Sequence, residues 1–263
     1  MKAASLFSGI GGFCAGFNEH GFETVWANDN DRVACSIYRH NFPGVRVIEK
    51  DVNDLNVKKD DLEPVDVLHA GFPCQSFSQA GPKTGFEDDR GQLFFQILRV
   101  VKQFKDQKPK VLVLENAPYL KVGDGGRWFM KITERLQKAG YWFRASNAVE
   151  LDLYDVSDRP QQRRRLFLIA FSRDHFRSGR ITVPTNIENG KAKDMTRFVD
   201  FSGEQADRYY LDEQNRYFEM IKKEYKDTCA DKHLYQLRKY LVRQKNPNLC
   251  PTLTANMGMG GHN

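Results

Sequence analysis

Residues 3–13, AASLFSGIGGF, decide the fold. A short apolar run, residues 3–7, breaks into Ser8-Gly9-Ile10-Gly11-Gly12, and Phe13 and Phe17 then recur at near-helical spacing through residue 19. That order is strand, glycine-rich turn, helix. Glycines let the backbone turn tightly and approach a ligand, and a helix N-terminus adds partial positive charge. A second strand, residues 23–27 (ETVWA), is followed by Asp29. A carboxylate at that place can accept hydrogen bonds from ribose hydroxyls. Many strand-to-helix turns are glycine-rich; the downstream acid narrows this one to an adenosine-containing cofactor.

The same alternation continues outward. Residues 31–41 read as a helix, and residues 66–70 (DVLHA) and 110–114 (KVLVL) as short buried strands. Residues 91–104 place apolar side chains at 93, 94, 97, 98, 100 and 101, a helical stripe. Residues 127–139 form another helix that stops at Gly140, a suitable C-terminal cap. Strand–helix repetition predicts an α/β fold with a doubly wound, mostly parallel sheet. Later, residues 142–151 and 166–171 read as strands flanking a basic loop. A polar stretch around residues 179–194, with an Asn189-Gly190 turn signal, marks a domain boundary. Six of the ten tyrosines fall within residues 204–244. Tyr217, Ile221 and Tyr225 share a helical face; core packing and base stacking are both open readings of it.

The chain has 263 residues, 40% of them hydrophobic and 28% charged, with a mean hydropathy of −0.61. That composition supports a sizeable core and excludes a disordered chain. No apolar run approaches the ~18 residues of a membrane span, and the N-terminus does not read as a signal peptide. Five cysteines, without a Cys-x-x-Cys pair, fit neither a disulfide framework nor a zinc ribbon and point to a reducing compartment. Residues 1–154 balance 20 Lys/Arg against 20 Asp/Glu, whereas residues 155–263 carry 20 against 14, the whole of the +6 net charge. A neutral first part and a basic second part fit separate jobs, the latter facing a polyanion; a solvated basic surface is the alternative.

Three further stretches carry chemistry. Gly71-Phe72-Pro73-Cys74-Gln75-Ser76-Phe77-Ser78 lies just beyond a strand, where the carboxyl ends of an open sheet face the ligand crevice. Cys74 there is placed to be a nucleophile, with Pro73 fixing the backbone; a buried structural thiol is the alternative. Glu115 ends the next strand and projects to the same crevice, where a carboxyl can act as acid or hydrogen-bond partner. Arg163 and Arg165 should share one face of a late strand and Arg164 the other. Two arginines aimed at a crevice suit phosphate or carbonyl contacts.

Together these blocks resemble the DNA cytosine-5 methyltransferases. The matching residues are LFSGIGGF (6–13), Asp29, Asp51-Val52, GFPCQSFSQAG (71–81), RGQLF (90–94), ENAP (115–118) and PQQRRR (160–165). PTLTANMGMGG (251–261) resembles the start of that family's target-recognition core. The resemblance implies an S-adenosylmethionine-dependent, Rossmann-like domain over residues 1–180 and a partial, basic recognition region over residues 181–263. It implies that Cys74 attacks carbon-6 of a flipped cytosine, Glu115 engages ring N3, and Arg163 and Arg165 hold the base carbonyl and nearby phosphate. The cofactor would sit on Phe7, Ser8, Gly9, Ile10, Gly11 and Gly12. Asp29 and Asn30, Asp51 and Val52, and Pro73 and Leu93 would complete its pocket. Gln75, Ser78, Thr252 and Leu253 would join the two arginines at double-stranded DNA. No metal is implied, and the expected location is the cytoplasm, with the DNA.

The sequence departs from the family pattern at Ser5, Asn30, Ala117 and Asp158-Arg159, none of which is the nucleophile, the acid or an arginine of the pair. The arginine-led block and the final cofactor-touching segment that follow the recognition core in the family do not appear before Asn263. The resemblance therefore implies either a second polypeptide supplying them or a truncated product that binds without turnover. An RNA cytosine-5 methyltransferase is the third reading. It is disfavoured because no Cys-Phe-Thr element is present and the cysteine loop reads Phe-Pro-Cys-Gln, not Pro-Pro-Cys-Gln.

Overall fold

The computed structural model describes residues 1–73, 86, 89–178, 181–184, 193–225, 233–238, 240–246 and 248–253. Chain contacts group into two compact units, Met1–Glu150 with Arg165–Thr185, and Leu151–Arg164 with Asn186–Asn263.

The first unit follows the alternation of its sequence. β1 (Lys2–Leu6), α1 (Gly12–Glu19), β2 (Glu23–Asp29), α2 (Arg32–Asn41) and β3 (Arg46–Glu49) build one edge of the sheet. β4 (Val67–Gly71), α3 (Asp89–Gln103) and β5 (Val111–Asn116) continue it on the other side of β1. After α4 (Tyr119–Val122) and α5 (Arg127–Lys138) come β6 (Tyr141–Trp142), β7 (Ala148–Asp152) and β8 (Arg164–Ser172); α6 (Leu153–Val156), between β7 and β8 in the chain, belongs to the second unit. The strand order is β3-β2-β1-β4-β5-β8-β6, with β7 also paired to β8. β1 to β5 pair with one another in parallel, whereas β8 is antiparallel to both β5 and β6. The order reverses at β1 and β4. A crevice opens beyond the carboxyl ends of strands at such a point.

Two details differ from the sequence reading. β3 was not legible: RVIE is four residues long and half-buried, too short for a periodicity signal. The single strand expected over residues 142–151 is two strands separated by a 3-10 turn, Ala145–Asn147. Buried Asn147 explains the break: its side-chain oxygen accepts from the Arg144 N–H at 3.1 Å and its amide donates to the Ile181 carbonyl at 3.3 Å.

The core lies on both sheet faces. Leu68, Leu112, Leu114, Leu166 and Leu168 from the strands meet Phe94, Ile97 and Val101 of α3 and Ile132 and Leu136 of α5 in one cluster. Each such side chain contributes roughly 1.5–3 kcal/mol by leaving water. Beneath α1, His69 of β4 is fully buried, stacked against Phe13 and Phe17 at ring-centroid distances of 5.0 and 4.8 Å. Burial pushes its imidazole down to about 3, so it is neutral.

The second unit contains α7 (Arg216–Glu224) and an antiparallel pair, β9 (Tyr235–Arg238) with β10 (Leu241–Gln244). α7 packs on β10, burying Tyr217 and Val242, while Tyr225 at the end of the helix is 49% exposed. Tyr217 is thus core, as an amphipathic helix requires, and Tyr225 is not.

Candidate active site

The glycine-rich turn is shaped by backbone conformations that side chains rarely adopt. Phe7, Gly9 and Gly11 have φ of +53°, +53° and +99°. Gly11 is needed twice over, because an added Cβ would also overlap the Phe42 ring. At Gly9 and Gly12 the space a Cβ would take is open. The turn is anchored from β2. Ser8 N–H donates to the Asn28 carbonyl at 3.0 Å, and Gly9 N–H to Asp29 Oδ2 at 2.8 Å. The other Asp29 oxygen accepts from Asp31 N–H at 3.0 Å, and Asp31 caps α2 through Ala34 N–H at 2.8 Å. Asp29 therefore fixes the turn from below, with Asn30 and Ile10 exposed beside it.

Asp51 sits beyond β3 and caps the next turn through Asn53 N–H at 2.8 Å. Val52 is buried, and half-buried Phe7 and Leu93 pack against the same cluster. Arg99 was not singled out from the sequence. Its guanidinium donates to the Val52 and Leu55 carbonyls at 2.6 and 2.8 Å and so holds this turn in place. The available signal was a cation inside the apolar stripe of α3.

An adenosine-bearing cofactor fits these residues. The Ser8 hydroxyl is a buried oxygen without a protein partner among the described residues, beside glycines whose Cβ space is open. Such a group is accounted for by a polar ligand.

The carboxyl ends of β4 and β5 carry the reacting side of the crevice. Gly71 and Glu115 are register partners, and a Cβ at Gly71 would come within 3.3 Å of Glu115 Oε2. Glu115 faces Phe167 across the antiparallel pair, which puts Arg165 on its diagonal. Arg165 Nε lies 2.5 Å from Glu115 Oε1, each side chain 22% exposed. Buried Asn116 donates to the Phe72 carbonyl at 3.1 Å and ties the two strand ends together just before Pro73. The sequence reading did not assign Asn116 that role. Cys74, Gln75 and Ser78 lie outside the described residues.

Arg163 and Arg164 belong to the second unit. Asp152, nearly buried, accepts from the Arg163 N–H at 2.8 Å and from Arg164 Nε at 3.4 Å. Arg164 is thus directed to Asp152 and Arg165 to Glu115, the alternation expected for adjacent strand residues. The segment at residues 250–252 runs alongside residues 160–162. Cys250 N–H donates to the Pro160 carbonyl at 2.6 Å, Gln162 N–H to the Cys250 carbonyl at 2.8 Å, and the Thr252 hydroxyl to the Gln162 carbonyl at 2.7 Å. Leu253 is 55% exposed beside it. Among the described residues, no group of three or more His, Cys, Asp or Glu could hold a metal ion, and no helix is long and apolar enough to cross a membrane.

The profile of C-5 cytosine-specific DNA methylases matches residues 1–257. The chain belongs to that family. It is 39% identical to the type II methyltransferase M.Bsp6I of Bacillus sp. (strain RFL6), over 100% of this chain and 80% of that protein. It is also 39% identical to the type II methyltransferase M.NgoBI of Neisseria gonorrhoeae, over 65% of this chain and 50% of that protein. The solved structure of the Dnmt2 methyltransferase of Schizosaccharomyces pombe shares the fold, with a TM-score of 0.61 and 20% identity over 86% of this chain and 67% of that one. Membership makes the protein a DNA cytosine-5 methyltransferase of Rossmann-like fold, a type found in restriction–modification systems.

Proposed function

We propose that the chain methylates carbon-5 of cytosine at a specific duplex site through a covalent adduct with Cys74. The observation that carries this reading is the Glu115–Arg165 pair at 2.5 Å, at the same sheet edge as the Asp29-anchored glycine turn. Cytosine carbon-5 is a poor nucleophile, so the ring must be activated first. The Cys74 thiolate adds to carbon-6, and Glu115 engages N3 where charge accumulates, making carbon-5 enamine-like. Arg165, braced by Glu115, and Arg163 hold the carbonyl and neighbouring phosphate. Once carbon-5 is methylated, its proton leaves to a base and the sulfur–carbon-6 bond breaks, restoring aromaticity and the thiolate. The target base must leave the helical stack for a side chain to reach carbon-6.

S-Adenosylmethionine, as cosubstrate, would supply an electrophilic methyl group on a sulfonium. Residues 7–12, Asp29, Asn30, Asp51, Val52, Pro73 and Leu93 would bind and orient it. Gln75, Ser78, Thr252 and Leu253 would contact DNA, and residues 181–263 would act as the recognition region. Acting on DNA, the protein would work in the cytoplasm.

Tritiated methyl transfer from S-adenosylmethionine tests the reading. It predicts 5-methylcytosine in duplex DNA, none in tRNA, and none with Cys74→Ser. Label on tRNA alone, or an undiminished Cys74→Ser enzyme, would overturn it.

A further inference from the structure

We infer a second ligand site in the first unit, at the opposite end of the sheet from Glu115: a pocket for a nucleoside polyphosphate between the last turns of α3 and α5. The cavity measures about 580 Å³. It lies where residues 105–108 lead into β5 and Ala139 leads into β6. Its wall carries six cations, Arg99, Lys102, Lys105, Lys108, Arg135 and Lys138, and no carboxylate among its described lining residues.

Three of these charges are already engaged. Arg99 is held by main-chain carbonyls, Lys108 pairs with Asp174 at 2.9 Å, and Lys138 pairs with Glu134 at 2.5 Å. Lys102, Lys105 and Arg135 have no carboxylate within ion-pair distance among the described residues. Helix C-terminal carbonyls offset only about half a charge each, so the pocket retains a clear positive excess. Lys105 is held with φ at +56°, a conformation uncommon outside glycine.

The rest of the lining is different in kind. Phe95 and Leu98 supply apolar surface, with the Arg135 guanidinium 5.7 Å and Lys131 Nζ 5.4 Å from the Phe95 ring centroid. Solvated lysines on a convex surface need no such apolar neighbours. Cations beside apolar surface in one cavity suit a ligand that joins several phosphates to a flat ring. A bare phosphodiester backbone would use the cations and leave the apolar surface empty.

Calorimetric titration of the full chain tests this. S-Adenosylmethionine is present throughout, so that the glycine turn is filled. The probes are deoxyguanosine triphosphate, tripolyphosphate and a blunt DNA duplex. The triphosphate should bind more tightly than tripolyphosphate. The K102Q/K105Q/R135Q variant should lose about 10- to 100-fold of that affinity, with methyl transfer unchanged as evidence of folding. The charge-keeping K102R/K105R/R135K variant should retain most of it and serves if the glutamine variant fails to fold. Equal triphosphate affinity in wild type and the glutamine variant would overturn the assignment. So would a charge-keeping variant that binds no triphosphate although folded, or binding of the duplex alone.

Discussion

The two units are held together by different physics. The first is built on long-range strand pairing around one apolar cluster. In the second, among the described residues, the buried apolar side chains are few: Pro160, Met195, Tyr217, Val242 and Pro251. Its chain is shaped instead by local side-chain caps. Asp194, Asp200, Asp212 and Asn215 each accept a backbone N–H two residues on, at 2.9–3.0 Å. Such caps define turns without creating hydrophobic periodicity. The contrast suits the roles proposed: a rigid frame for bond making, and a surface shaped by short polar turns for reading DNA.

The largest effect that would sharpen this contrast is catalytic. Glu115→Gln should lower the rate of methyl transfer by about 10²–10⁴-fold, with the melting temperature nearly unchanged. An equal loss from a substitution at Tyr225, exposed in the second unit, would break the division of labour.

Core truncation comes next. Leu112→Ala should destabilise the first unit by about 2–5 kcal/mol, read by denaturant unfolding. Val242→Ala should leave the first unit's transition in place and loosen the hairpin, read by amide exchange in residues 235–244.

Acid should act on the first unit through His69. Its folded pKa, about 3, is below the ordinary 6.5. The neutral form is favoured by burial, so its contribution is fully present above about pH 6.5 and is lost as pH falls toward 3. His69→Phe should flatten the stability profile across that window; a profile unchanged by the substitution would contradict the burial argument.

The smallest effect is a cap. Asn215→Ala at the start of α7 should cost the second unit about 1 kcal/mol, as should Asp31→Ala at α2 in the first. Melting curves would show the loss at α7 as a larger fraction of local stability.

The same contrast explains what the sequence made legible. Residues 3–13 and 110–114 announce themselves because a buried parallel strand is a continuous apolar run and the turn after it requires glycine. Glu115 was readable as a crevice residue because it ends such a run; its ion pair with Arg165 was not, because it joins two strands far apart in sequence whose antiparallel pairing no local pattern encodes. Asn116 and Arg99 were not, because their work is to bond carbonyls 44 to 47 residues away in sequence, which no local pattern encodes. The hairpin at residues 235–244 was missed for the opposite reason: its strands are short, charged and only partly buried.

The most direct test of the central claim is the mass of protein bound to a duplex containing 5-fluorocytosine at the target. Fluorine occupies the place of the proton that must leave carbon-5, so the last bond-breaking step is blocked. With S-adenosylmethionine present, the account predicts one protein–DNA adduct, heavier by one methyl group, that maps to Cys74 and vanishes in Cys74→Ser. Methylation of ordinary DNA with no adduct on the fluorinated duplex would contradict it.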